Sequence, residues 1–241
     1  MKKLFFILTV LFFLLCGGLA DKSRADDGEN PFNPGAGPCA ELISEPEIVF
    51  KTSYGHLRYD FSMNQKELTE LGKQYGIVEQ GLFASGLAVI GVNWEIQLET
   101  AGRVADDGTI CVVPEKLEVF IGYQDPVIFI SNQLVPDSCD YNVVMRHEQT
   151  HHQINAAALE YFIPGLRRSV SEISGHISPV RVGGISEIDE ATNRLTEDYI
   201  KEISPLIQHF KKELMQEQGK LDNHTNYKFE NDLCRKFNRR P

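Results

Sequence analysis

Residues 143–155, "VVMRHEQTHHQIN", place His147, Glu148 and His151 in the order HExxH. On a helix, residues four apart lie on one face. Two neutral imidazoles on such a face can bind one zinc ion and leave the intervening carboxylate beside a water in the open coordination position. Zinc brings the pKa of that water towards neutrality, and the carboxylate takes its proton as it attacks a carbonyl and returns it to the leaving amine. The expected chemistry is zinc-dependent hydrolysis of a peptide bond, with His147 and His151 as ligands and Glu148 as the general base. His152 stands about 100° round the helix from His151 and reads as a surface or outer residue, as do His56, His176 and His209.

A catalytic zinc has three protein ligands and one open position. The extension HExxHxxGxxH is absent, because Ile154 and Ala157 stand where its Gly and last His belong. The third ligand is therefore expected from the C-terminal half. Asp222 and His224 are the candidates; Glu187, Glu190 and Glu197 form a second set if their helix packs antiparallel to the first. Each residue also has a plainer role, Asp222 as a helix N-cap and the glutamates as a solvated face.

These residues need a helix behind a sheet. "CDYNVVMRHEQTHHQINAAALEYF" reads as that helix, with Val143, Val144, Ile154 and Ala158 on its inner face and Pro164-Gly165 as its break. Ahead of it, Ile90, Val92, Trp94, Ile96 and Leu98 alternate with polar residues or glycine at a strict period of two, the mark of a half-buried strand. Asp107-Gly108 suits a hairpin turn into "TICVVP". "KLEVFIGY" and "VIFIS", joined around Gln124-Asp125-Pro126, extend an antiparallel meander. "PEIVFKTS" is a further strand, and "YDFSMNQKELTELGKQYG" a helix capped by Ser62 with Gln65. A long helix from about Glu187, kinked near Pro205, and a short one carrying Cys234 complete the chain. Strands followed by helices predict an α+β fold.

The chain start sets the expected compartment. Lys2 and Lys3 precede the apolar run Leu4 to Leu15, which fits a signal peptide. Cleavage is expected after Ala20, since Lys22 and Arg24 would charge the c-region of the alternative site after Ala25; a lipid anchor at Cys16 would want Gly or Ala where Leu15 stands. The division is a signal peptide over 1–20, a Pro- and Gly-rich linker over 21–38 and one domain over 39–237. Export to the periplasm or the extracellular space follows. Losing residues 1–20 takes two lysines from a chain of net charge −10. So acidic a surface repels phosphate backbones, and no nucleic-acid partner is expected; nor does the mature chain hold an apolar run long enough to span a bilayer. Cys39, Cys111, Cys139 and Cys234 then make an even set of four. In an exported protein these read as two disulfides with three possible connectivities, of which Cys111–Cys139 with Cys39–Cys234 is the expectation.

The signal peptide, the strand-rich half, a Cys on a strand, a second Cys shortly before HExxH and a late "LDNHTNY…C" together resemble a bacterial family of predicted secreted zinc-dependent proteases. The resemblance covers most of residues 39–234, and HExxH is its specific motif. It implies a zincin-like domain, a bound zinc ion, a peptide or protein substrate, and the roles already given to His147, Glu148 and His151. Where the family carries an Asp, a Thr and then His-Gly near the C-terminus, this chain has Asp222, Thr225 and Asn226-Tyr227. The alternative from another functional class is an inactive zincin-derived module that binds an envelope partner.

Overall fold

A computed structural model describes residues 37–78 and 81–237, so the expected signal peptide and nearly all of the linker lie outside the described residues. A 3-10 turn (Pro38–Leu42) leads to strands β1 (Glu47–Ser53) and β2 (Arg58–Asp60), helix α1 (Gln65–Gln74) and strands β3 (Gly86–Val104) and β4 (Ile110–Ile130). Helix α2 (Cys139–Ser174), strand β5 (Val180–Val182), a 3-10 turn (Ile185–Glu187) and helices α3 (Ile188–Leu221) and α4 (His224–Phe237) follow. None of the described helices is long and apolar enough to cross a membrane.

β4 organises the sheet. The three strand segments expected from Ile110 to Ser131 are one strand of 21 residues. The meander expectation therefore fails, and the reason lies at Gln124-Asp125-Pro126. Val89 and Gly91 of β3 stand opposite Val127 and Gln124, so β4 absorbs an extra residue as a bulge, with Asp125 at φ 44°. β3 and β4 do form the expected hairpin at Asp107-Gly108, where Ala105 N–H donates to Thr109 O (2.8 Å). Along the other edge of β4, β1 and β2 run parallel to it, with Ser53 opposite Gly122 and Arg58 opposite Val127. Pro126, which has no N–H to give, falls in the gap between those two partners. β5 pairs antiparallel with the first residues of β4.

One face of this sheet carries the helices. Ile90, Val92, Trp94, Ile96 and Leu98 of β3 and Leu117, Val119, Ile121 and Tyr123 of β4 pack with Leu159, Leu166, Tyr199, Ile203 and Phe210 in one core. Asn93, Glu95, Gln97 and Glu99 face solvent on the other side, as the alternation predicts. The fold is α+β.

Both long helices pass through a proline, so the expected break at Pro164-Gly165 does not occur. Pro164, Gly165 and Pro205 are exposed, whereas Leu159, Leu166 and Val170 on α2 and Ile203 and Ile207 on α3 are buried. The lost backbone bonds fall on the wet face, and the apolar stripe carries each helix onward. The helices are antiparallel: His151 meets Gln218, Phe162 stacks on Phe210 (4.5 Å between centroids) and the Ser174 end meets Tyr199.

Two smaller expectations are corrected. Asn64, not Ser62, caps α1: its side chain accepts from Glu67 N–H (3.0 Å) and Glu67 accepts from Asn64 N–H (2.8 Å). Ser62 instead donates to Asp60 Oδ1 through its hydroxyl and its amide. The disulfides are Cys39–Cys111 and Cys139–Cys234, not the expected pairing. Cys111 begins β4 and Cys139 follows its far end, and an extended strand of that length holds its ends roughly 60 Å apart. Only a meander would have brought them together. The closed loops span 72 and 95 residues, each contributing about 4–5 kcal/mol in the chain-entropy account.

The parallel pairing makes a prediction. A Cβ on Gly122 would sit 2.2 Å from Ser53 O, whereas one on Gly91 would meet nothing within 4 Å. Gly122→Ala should lower stability to urea by about 2 kcal/mol or more, and Gly91→Ala by less than about 0.5 kcal/mol. Equal stability of the two variants would refute the β1–β4 register.

Candidate metal centre

The buried stripe of α3 steps through Ala191, Leu195, Tyr199, Ile203, Ile207, Phe210 and Leu214. Two further steps of four residues reach Gln218 and Asp222. On α2 the stripe formed by Leu159, Leu166, Val170 and Ser174 extends backwards through Asn155 to His151 and His147. Because the helices are antiparallel, the start of α2 meets the end of α3, and both stripes turn from apolar to ligating at that point. Tyr123 of β4 fixes the register of α2 against the sheet: its hydroxyl donates to Asn155 O (2.7 Å), and the Asn155 amide donates to His151 O (2.8 Å).

His147 Nε2 and His151 Nε2 lie 3.0 and 3.1 Å from Asp222 Oδ1, and 3.1 Å from each other. Potential ligand atoms of these three residues all lie within 4.8 Å of one another. The other ring nitrogens are engaged. His147 Nδ1 is 3.1 Å from Oε2 of the buried Glu230. His151 Nδ1 meets Gln218 Oε1, and Gln218 Nε2 donates to His151 O (3.1 Å), which fixes the orientation of that amide. A carboxylate and an amide oxygen only accept, so both Nδ1 atoms donate; in the neutral rings both Nε2 atoms are then acceptors, and a protonated ring donates from Nε2 to Asp222. Two ring nitrogens and a carboxylate oxygen then face one another, an arrangement that could hold a cation between them. The donor set, two imidazoles and one carboxylate with an outer partner on each ring, suits zinc; these side chains equally suit other divalent transition metals.

Of the two residues suggested for the third position, the structure brings Asp222 to the histidines and leaves His224 exposed at the start of α4, outside the group. Asp222 does not cap α4: Asn223 does, its Oδ1 accepting from Asn226 N–H (2.9 Å). That frees the Asp222 carboxylate. Glu187, Glu190 and Glu197 are not at the site. The 25 residues of helix between Glu197 and Asp222 span about 38 Å, and Glu187 and Glu190 instead engage Gly183 N–H and Arg194.

Glu148 is buried and lies against the first residues of β3, where a Cβ on Gly86 would come within 2.6 Å of its Oε1. Burial pushes its carboxyl up to about 7, against the lowering effects of His147, His151 and the Ala88 amide. Burial would lower both histidines, but the hydrogen bond to Asp222 and the neighbouring carboxylates outweigh it and hold them above their ordinary range. Burial would raise Asp222, yet hydrogen bonds from His147, His151 and Tyr227 pull it well below the usual carboxylate range. Tyr227 completes the surroundings: its hydroxyl donates to Asp222 Oδ1 (2.6 Å) and its ring stacks on His147. Beside the site, Gln149 Nε2 donates to the hydroxyl of Tyr59 (3.0 Å), the first ring of a stacked file with Phe61 and Tyr141.

Sequence reasoning missed Gln218, Tyr227 and Glu230. Gln218 was signalled by its place on the α3 stripe. Glu230 stands four residues before Cys234, whose partner Cys139 opens the HExxH helix. Nothing in the sequence pointed to Tyr227. Comparison of the chain with family models, curated proteins and solved structures finds no match.

Two outcomes follow. In competition with a chromophoric chelator, Asp222→Ala should weaken zinc binding by about a hundredfold or more, while His224→Ala should leave it unchanged. With chelator present, the raised Glu148 carboxyl contributes stability that is full below 4.5 and gone above about 7. The raised histidines act in the same direction from 6.5 upwards. The melting temperature of the metal-free chain should therefore fall between pH 5 and pH 8. Zinc, which competes with protons for the imidazoles, should raise it more at pH 8 than at pH 5.

Proposed function

We propose that this chain is a zinc-dependent metallopeptidase with a zincin-like domain, exported to the periplasm or beyond. The observation that carries the reading is the convergence of His147, His151 and Asp222 with Glu148 buried beside them. The two disulfides fit an oxidising compartment.

Zinc, held by the three ligands, would supply Lewis acidity towards a water molecule and a peptide carbonyl. Glu148 takes the proton of the attacking water and passes it to the leaving amine. Its position between the metal ligands and the start of β3 suits that shuttle, and Gly86 leaves the carboxylate its room. Glu230 and Gln218 hold the imidazoles in the tautomer that ligates. Tyr227 holds Asp222.

The substrate class follows from the same end of the sheet. Among the described strands, β3 pairs only with β4, so its outer edge has no strand partner, and the Ala88 amide on it is engaged by Glu148. An extended polypeptide laid along that edge would present its backbone to Glu148.

The decisive variant is Glu148→Gln. It should bind zinc within about threefold of wild type and lose a hundredfold or more of its hydrolysis of a denatured protein, the usual scale for general-base removal. Should the zinc-loaded wild type leave denatured protein and a broad peptide library intact, the peptidase reading falls and the inactive binding module stands.

A further inference from the structure

α4 is attached to the rest of the fold in an unusual way. Among its described side chains, only Glu230 and Cys234 are buried. Tyr227 and Phe229, its aromatic residues with described side chains, are 42% and 60% exposed. A helix of this length is marginal in water unless an apolar face is packed, and among its described apolar side chains only Cys234 is fully buried, with Leu233 half-buried. What holds it against α2 is one disulfide, Cys234 to Cys139, and one polar contact, Glu230 Oε2 to His147 Nδ1. Tyr227 adds its ring on His147 and its hydroxyl on Asp222.

The contacts of Glu230 and Tyr227 are both with residues of the candidate metal centre. Asp222 itself lies in the two-residue junction between α3 and α4, so its backbone is held from both sides. Cys139 is the first residue of α2, two turns before His147.

Resting on the metal reading above, we infer that the Cys139–Cys234 disulfide gates metal loading: zinc binds tightly only once that bond has formed. In the reduced chain, α4 loses its one covalent tie to α2 and is held by few buried groups among the described residues, so Glu230 and Tyr227 leave with it. The site then falls back to a histidine pair on α2 and a carboxylate at a frayed helix end. Oxidation removes two electrons and two protons from the thiols of Cys139 and Cys234, passing them to a disulfide-exchanging oxidant that is itself reduced to two thiols; the zinc ion does not change oxidation state. α4 is thereby closed over α2, and the ligands are ordered before the metal arrives. Cys39–Cys111 ties the first turn to the start of β4, away from the centre, and takes no part.

Linkage is reciprocal, so the metal must also protect the bond. The test uses the full folded chain, zinc alone and a phosphine reductant that competes weakly for metal. Zinc affinity is measured for wild type, for Cys139→Ser/Cys234→Ser and for Cys39→Ser/Cys111→Ser. We expect the first variant to bind at least tenfold more weakly and the second within about threefold, the tenfold being the low end for loss of outer support to a metal ligand. In wild type, zinc should slow reduction of Cys139–Cys234, followed by alkylation and mass mapping, at least tenfold and leave Cys39–Cys111 unaffected. Equal zinc affinity in a folded Cys139→Ser/Cys234→Ser variant overturns the inference while leaving the metal site intact. If that variant does not fold, the protection assay on wild type decides, and reduction at the same rate with and without zinc overturns it. A wild type that binds no zinc defeats the metal reading itself, a separate failure.

Discussion

The structure depends on one electrostatic demand: three acceptor atoms, two imidazole nitrogens and a carboxylate oxygen, turned towards a common point. Protons on the rings or a cation between them can satisfy that demand. The hydrogen bonds that the rings donate to Glu230 and Gln218 leave the neutral Nε2 atoms as acceptors, because each engages the opposite nitrogen of its ring. Remove either partner and the ring could turn or switch tautomer. The arrangement is thus specified from outside inwards, and much of it comes from the last helix of the chain.

The scaffold beneath this point is correspondingly rigid. Tyr123, almost fully buried in the sheet, fixes the backbone one turn beyond His151. The core under α2 and α3 is continuous from Leu159 to Leu214. Loss of a buried apolar side chain there would act on the site through helix position, without touching a ligand. The site also sits where the core ends: His147 and Glu230 are buried, while Asp222 and Tyr227 keep access to the solvent.

Features carried by local chemistry were legible in the sequence. HExxH on a helix, the β3 alternation and the Asp107-Gly108 turn all depend on neighbours within a few residues. Asp222 could be named as a candidate but not separated from His224, since that choice depends on Asn223 taking over the cap. What was illegible was set at long range. Gln124-Asp125-Pro126 has the composition of a turn, yet parallel partners on one side and β3 on the other hold it as a bulge inside β4. The disulfide pairing failed for the same reason, because it assumed the turn. Pro164 has the composition of a helix break, but it lies on the wet face of a helix whose stripe continues.

Every strand pairing in this sheet uses β4, and β1 and β2 come before it in the chain. During synthesis those two strands emerge with their backbone groups unsatisfied and wait for the residues up to Ile130 before either can dock. Parallel pairing over such separations is slow, because chain closure comes before any contact is gained. The waiting segments, "EIVF" among them, are apolar and extended, the form in which nascent chains associate with one another. A sheet hung from a single late strand therefore places its unpaired strands in the growing polypeptide rather than in the finished fold.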